Sequence, residues 1–134
     1  MLNDPIAAAL AAARDLIGRR AKEGRHHVAA TVITRAGNSY TAVNTDSVLG
    51  RAAICAEAVA IGMACAAERD AEIVFCVAVN RRLEVIAPCG FCRELLLDYG
   101  SEALIGLPGD DDVCVPRPLA DLVPHAYKAG RRGV

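Results

Sequence analysis

Residues 72–80, EIVFCVAVN, do more than any other stretch to limit how this chain can fold. The run from Ile73 to Val79 is apolar without interruption and is bounded by Glu72 on one side and by Asn80 and Arg81 on the other. A strand with one wet face alternates polar and apolar residues, whereas a strand covered on both faces reads as a continuous apolar run. The segment therefore predicts a central strand with material packed above and below it, and the rest of the chain must supply both covers.

The flanking segments supply helices and further strands. Asn3 or Asp4 caps a helix with Pro5 at its first position, and Ile6, Leu10, Ala13 and Ile17 recur on one face until the Gly18 to Gly24 stretch breaks the pattern. HVAATVIT and SYTAV, on either side of Ala36, Gly37 and Asn38, predict a hairpin, and NTDSVLGRA follows as a loop. From Ala53 to about Arg69 an alanine-rich, proline-free stretch predicts a helix, with Ile54, Ala58, Ile61 and Cys65 on one face. LEVIA either extends the central strand or makes a small return. Pro88 then opens a helix through CGFCRELLLDYG that Gly100 ends. ALIGL and VCVPR predict two short strands across the turn PGDDD, and LADLVPHAY a final helical turn or two. The order α, ββ, α, β, α, ββ, α argues for an α/β fold, one mixed sheet between helices, in a single domain over residues 1–134.

Charge and length exclude several functions. A formal net charge of -1 with both signs interspersed offers no basic stripe for a phosphate backbone, so nucleic acid is not the expected partner. Of the 15 cations 13 are Arg, which in an alanine-rich chain reads as genome composition. The apolar N-terminal stretch IAAALAAA is preceded by Asp4 and followed by Arg14, Arg19 and Arg20, the reverse of a secretory signal. No apolar run approaches the roughly 20 residues that span a bilayer. These features predict a soluble, cytoplasmic chain whose six cysteines stay reduced, and whose thiols serve metal or chemistry rather than cross-links.

Two predicted helices begin at cysteines: Cys55 in ICAEAV, and Cys89 with Cys92 in PCGFCREL. Positions i and i+3 share a helix face, so Cys89 and Cys92 can hold one ion from a first turn. Cys55 is the natural third ligand, because a helix N-terminus favours the thiolate. Glu57 lies about 200° round an ideal helix from Cys55, but side chains at a helix start lean back toward its end and let both approach one ion. By itself, Cys89-x-x-Cys92 also suits a redox couple, or a closed structural zinc site completed by Cys65, Cys76 or Cys114. The redox reading leaves Cys55 without a role, and the structural one leaves Glu57 without one. Cys65, Cys76 and Cys114 sit among apolar neighbours and are expected as small buried hydrophobes.

ICAE followed by PCGFC resembles the zinc-dependent cytidine deaminases, most of all the small nucleoside deaminases and the blasticidin S deaminases, over about His26 to Tyr127. The resemblance implies a three-layer sandwich with a five-stranded mixed sheet and helices on both faces. It implies one Zn²⁺ per chain on Cys55, Cys89 and Cys92, and Glu57 as the group that carries a proton from the attacking water to the departing amine. Three thiolates weaken the acidity of a zinc-bound water, so the helix N-termini and Arg93 are expected to draw charge from the sulfurs.

What the resemblance implies about substrate is a free cytidine- or deoxycytidine-type nucleoside in pyrimidine salvage, or alternatively a cytosine-containing antibiotic such as blasticidin S. It assigns substrate contacts to Asn44, Asp46, Ala56, His26 and Tyr127. Asn44-Thr45-Asp46 stands where the family carries Asn-x-Glu, and His26-His27-Val28-Ala29-Ala30 where nucleoside deaminases carry Phe-Pro-Val-Gly-Ala. It also implies a homo-oligomer, a tetramer or a dimer. The tail KAGRRGV is expected as a solvated end.

Overall fold

The computed structural model describes residues 4–128; Asn3 as a cap and most of the KAGRRGV tail lie outside the described residues. Helix α1 (Pro5–Arg20) is followed by the hairpin β1 (Val28–Thr34) and β2 (Ser39–Val43), helix α2 (Ala56–Ala67), strands β3 (Ile73–Asn80) and β4 (Val85–Ile86), helix α3 (Gly90–Tyr99), strands β5 (Leu104–Pro108) and β6 (Cys114–Pro118), and the short helix α4 (Leu119–Leu122). The sheet runs β2-β1-β3-β5-β6, with the short β4 also paired to β3. Among the described residues only the β3–β5 pair is parallel. The expected five-stranded mixed sheet is present, and LEVIA forms the small return, which makes a sixth strand.

β3 occupies the centre for the reason its sequence suggests. Phe75, Val77 and Val79 pack on one face with Ala9, Ala13 and Ile17 of α1. On the other face Cys76 packs with Ala60, Ile61 and Ala64 of α2, Leu96 and Leu97 of α3 and Leu119 of α4. Every side chain of the run from Phe75 to Val79 is buried, and Phe75, Val77 and Val79 are each worth roughly 1.5 to 3 kcal/mol removed from water. Asp4 caps α1 by accepting from the amides of Ile6 and Ala7. Gly100 closes α3 against β3 so tightly that a Cβ there would lie 2.2 Å from the Ile73 carbonyl oxygen.

Two expectations for α2 are corrected. The helix starts at Ala56 and not at Ala53, because Thr45 and Ile54 exchange both backbone hydrogen bonds and hold Ile54 extended. Its buried face is Ala56, Glu57, Ala60, Ile61 and Ala64, whereas Ile54 and Cys65 are exposed. An alanine-rich helix offers too little contrast in hydrophobicity for periodicity to fix its rotation. Cys76 is buried and Cys114 half-buried, so of the three cysteines expected inside only Cys65 departs fully.

Candidate metal centre and active site

The Thr45–Ile54 pairing that delays α2 also builds the site, because it closes the intervening loop and sets Asn44 next to Cys55. Cys55 is the N-cap of α2 and Cys89 the N-cap of α3, and neither uses its side chain to cap the helix. Both sulfurs are thus free to turn outward from helix ends whose unpaired N–H groups favour negative charge. Cys92 lies one turn into α3 and is fully buried. The Sγ atoms of Cys55, Cys89 and Cys92 lie within 4.8 Å of one another, with 3.4 Å between Cys55 and Cys89.

These donors fit zinc. Tetrahedral ligation with bonds of about 2.3 Å separates sulfurs by about 3.8 Å, close to the spacing found, and an all-thiolate set excludes hard cations such as magnesium or calcium. Without a cation the surroundings oppose ionisation of these sulfurs. Burial, then the nearby Glu57 carboxylate, holds the Cys92 thiol far above its ordinary pKa, and burial followed by the Cys89 thiol raises that of Cys55. A cluster that resists ionisation so strongly by itself gains its thiolates when a divalent cation replaces the protons. Among the described residues this is the group of three or more potential ligands close enough to hold a metal, and Cys65, Cys76 and Cys114 are not in it. Three protein ligands are one fewer than a closed structural zinc site would use.

Glu57 is only 4 % exposed, and burial raises the pKa of its carboxyl. It lines a cavity of about 250 Å³ together with Cys55, Cys89, Asn44, Val28, Ala53, Ile54, Ala56, Ile86 and Ala87. A carboxyl group, the edge of a thiol cluster and an apolar slot therefore share one opening. Val28, Ala53, Ile54, Ile86 and Ala87 were not anticipated from sequence; their one signal was adjacency to Asn44, Cys55 and Pro88, since small apolar side chains carry no chemistry of their own.

The remaining expected residues are placed differently. Arg93 donates from Nε to the Pro88 carbonyl at 2.9 Å and from Nη1 to the Leu122 carbonyl at 3.3 Å, tying the backbone before Cys89 to the end of α4. Asn44 Oδ1 accepts from the amides of His27 and Val28 at 2.7 and 3.0 Å. The His26 ring meets the Asn44 carbonyl through Nδ1 at 2.7 Å, so Nδ1 carries the proton. Asp46 faces His27, with 3.6 Å between Oδ2 and Nε2. His26, Asp46 and the exposed Tyr127 are not among the residues that line the cavity. For His26 and Asp46 the reason is that their polar atoms turn to β1 and the β2 end.

Fold and site together define a zinc-dependent hydrolytic deaminase. Residues 5–106 match the family described as the cytidine and deoxycytidylate deaminase zinc-binding region, and the chain belongs to that family. It is 32 % identical over 113 residues to the blasticidin-S deaminase of Bacillus cereus, covering 79 % of this chain and 80 % of that protein. It is 33 % identical over 104 residues to the cytidine deaminase of Mycobacterium tuberculosis strain H37Rv, covering 77 % and 74 %. Among solved structures, a single-site variant of the M. tuberculosis cytidine deaminase superposes with a TM-score of 0.80 at 27 % identity, over 95 % of this chain and 98 % of that one. The cytidine deaminase of Burkholderia pseudomallei gives 0.76 at 26 % identity, over 90 % and 98 %.

Proposed function

We propose that the chain deaminates a free aminopyrimidine nucleoside of the cytidine or deoxycytidine type, with Cys55, Cys89 and Cys92 holding zinc and Glu57 moving the proton. The observation that carries this reading is the shared opening: the buried Glu57 carboxyl and the Cys55 and Cys89 thiols line the same apolar cavity. Zinc, when bound there, supplies a water acidic enough to be deprotonated near neutral pH. Glu57 takes that proton as the water oxygen adds to the ring carbon bearing the exocyclic amine. It passes that proton to the adjacent ring nitrogen, which has taken up the C=N electrons, and then carries the remaining hydroxyl proton to the amine nitrogen; the C–N bond breaks, and ammonia leaves a carbonyl behind. Burial makes the Glu57 carboxylate a stronger base, the direction that taking a proton from water needs. Val28, Ala56 and Ile86 give a flat ring an apolar slot, and Asn44 meets the substituent it carries.

The same slot supports a second reading, a cytosine-containing antibiotic of the blasticidin S type as substrate, favoured by the similarity to the B. cereus enzyme. The oligomer is a further part of the proposal. Val48, 99 % exposed, and Phe91, 66 % exposed, sit on the loop and helix turn that carry the site, and a second copy of the chain is the cover we assign them. Tyr127 belongs in the proposal as a residue that reaches a neighbour's cavity. Cytoplasmic pyrimidine salvage is the setting that fits such a substrate.

Ammonia release from cytidine, deoxycytidine and blasticidin S by zinc-loaded protein tests the reading. Glu57→Gln is expected to keep about one zinc per chain and to lose roughly a hundredfold to ten-thousandfold in kcat. A Glu57→Gln protein that turns over at the parent rate removes the mechanism.

A further inference from the structure

We propose that Asn80 and Arg14, neither of which lines the cavity, are positioning residues for its Ile86 wall. They hold the turn between β3 and β4 in a strained form that fixes the register of β4, and thereby set how tightly a flat ring is held. That ring comes from the deaminase reading above, on which the kinetic part of the test rests.

Ile86 packs over the methyl groups of Ala30, Ala56 and Ala78 and lines the cavity beside Val28. It belongs to a strand of two residues, paired so that Val85 lies opposite Val79 and Ile86 opposite Ala78. Val85 is buried on the opposite face, with Phe75, Val77 and the residues of α1. A slip of one residue would exchange the two, sending Ile86 toward α1 and Val85 to the cavity. A ladder of two pairs resists such a slip weakly, so the turn has to fix the register.

That turn spans Arg81 to Leu83 and is closed by the Asn80 amide on the Glu84 carbonyl at 3.0 Å and the Leu83 amide on the Asn80 carbonyl at 2.9 Å. Three-residue hairpin loops of this kind place their last residue in the left-handed region, where glycine is the usual occupant. Here it is Leu83, with φ at 67°. A bulky side chain in that region is strained, and the conformation persists only where its surroundings over-determine it. Asn80 supplies one restraint: its Oδ1 accepts the amides of Arg82 and Glu84 at 2.9 and 3.0 Å, and its Nδ2 donates to Glu84 Oε1 at 2.9 Å. Arg14 supplies the other from α1, its Nε donating to the Leu83 carbonyl at 2.9 Å.

The test measures steady-state kinetics of zinc-loaded variants with cytidine. Asn80→Ala is expected to raise KM about tenfold, the effect of a lost apolar contact in a pocket, and to leave kcat close to the parent's because Glu57 and the thiols are untouched. Arg14→Ala is expected to act in the same direction and less strongly, and it carries the comparison if Asn80→Ala does not fold. Adding Leu83→Gly to either variant should return KM to the parent value, since glycine adopts the left-handed conformation without help. A fall in kcat at constant KM, or a KM that Leu83→Gly fails to restore, overturns the proposal. The NMR signal of the Ile86 δ1-methyl in zinc-loaded protein without substrate gives a readout independent of turnover. It should move in Asn80→Ala and return when Leu83→Gly is added. Absence of deamination removes the function reading alone, while an Ile86 methyl that stays in place in Asn80→Ala removes this one.

Discussion

A single carboxylate oxygen, Oε2 of Glu68, collects the hydroxyls of Thr34 and Tyr40 and the amide of Asn38 at 2.9, 2.6 and 3.0 Å. Glu68 is the C-cap of α2, so these bonds tie the far end of the helix that carries Cys55 and Glu57 to the β1–β2 hairpin. The donors, Tyr40 first, hold the Glu68 pKa below its ordinary value. A carboxyl depressed in the folded state contributes stability that is present above the unfolded-state pKa and disappears as pH falls through the folded one. Glu68→Gln is therefore expected to lower the melting temperature near neutral pH, and the difference from the parent to shrink toward zero on acidification below about pH 4. Melting curves at intervals between pH 7 and 3 check this; a difference that grows on acidification contradicts it. Glu57 shifts oppositely, through burial, so the two glutamates of this helix stand in opposite surroundings. The role proposed for Glu57 was legible from its place after Cys55 and before PCGFC. That of Glu68 was not, since its three donors come from a hairpin about thirty residues upstream.

At the scale of elements, α3 is held where two cysteines need it by contacts at both ends. Gly100 lets its C-terminus meet β3, and Arg93 bridges the backbone at Pro88 to the last carbonyl of α4. Arg93→Ala is expected to weaken zinc binding by about 10- to 100-fold, as loss of partners that orient metal ligands does. Competition with a chromogenic chelator measures this. The visible spectrum of the cobalt-substituted protein reports whether the three-sulfur geometry survives, a signature that mere loss of stability would leave unchanged. Gly100→Ala is expected to cost about 1 to 3 kcal/mol of unfolding free energy by overpacking, read from urea denaturation. The start of α3 was readable from Pro88 and its end from Gly100. The start of α2 was not, because the Thr45–Ile54 pairing that displaces it depends on a loop folding back.

For the whole molecule, the metal centre joins two helices that start at different points of the chain, so its occupancy feeds into global stability. At zinc a thousandfold above its dissociation constant, binding contributes about 4 kcal/mol. Chelation is expected to lower the melting temperature, with recovery on re-addition of zinc. Loading the metal-free protein at neutral pH should also release protons, since burial holds Cys55 and Cys92 as thiols without a cation. Light scattering of the zinc-loaded protein is expected to give a multiple of the 14.1 kDa chain mass. Phe91→Asp should shift it toward the single-chain value.

Sequence alone determined the central strand, the order of elements and the chemistry of the centre. A both-faces-buried run, a proline-led helix start and a Cys-x-Glu before a Cys-x-x-Cys are local patterns, and local patterns survive without knowledge of the fold. Tertiary structure decided the rotation of the alanine-rich α2, the apolar walls of the cavity, and which polar groups remain available inside it. Those depend on contacts across the fold: hydrogen bonds from His27 and Val28 to Asn44 and between Thr45 and Ile54, and His27 facing Asp46. A donor spent on a distant backbone cannot be told from a free one by its place in the chain.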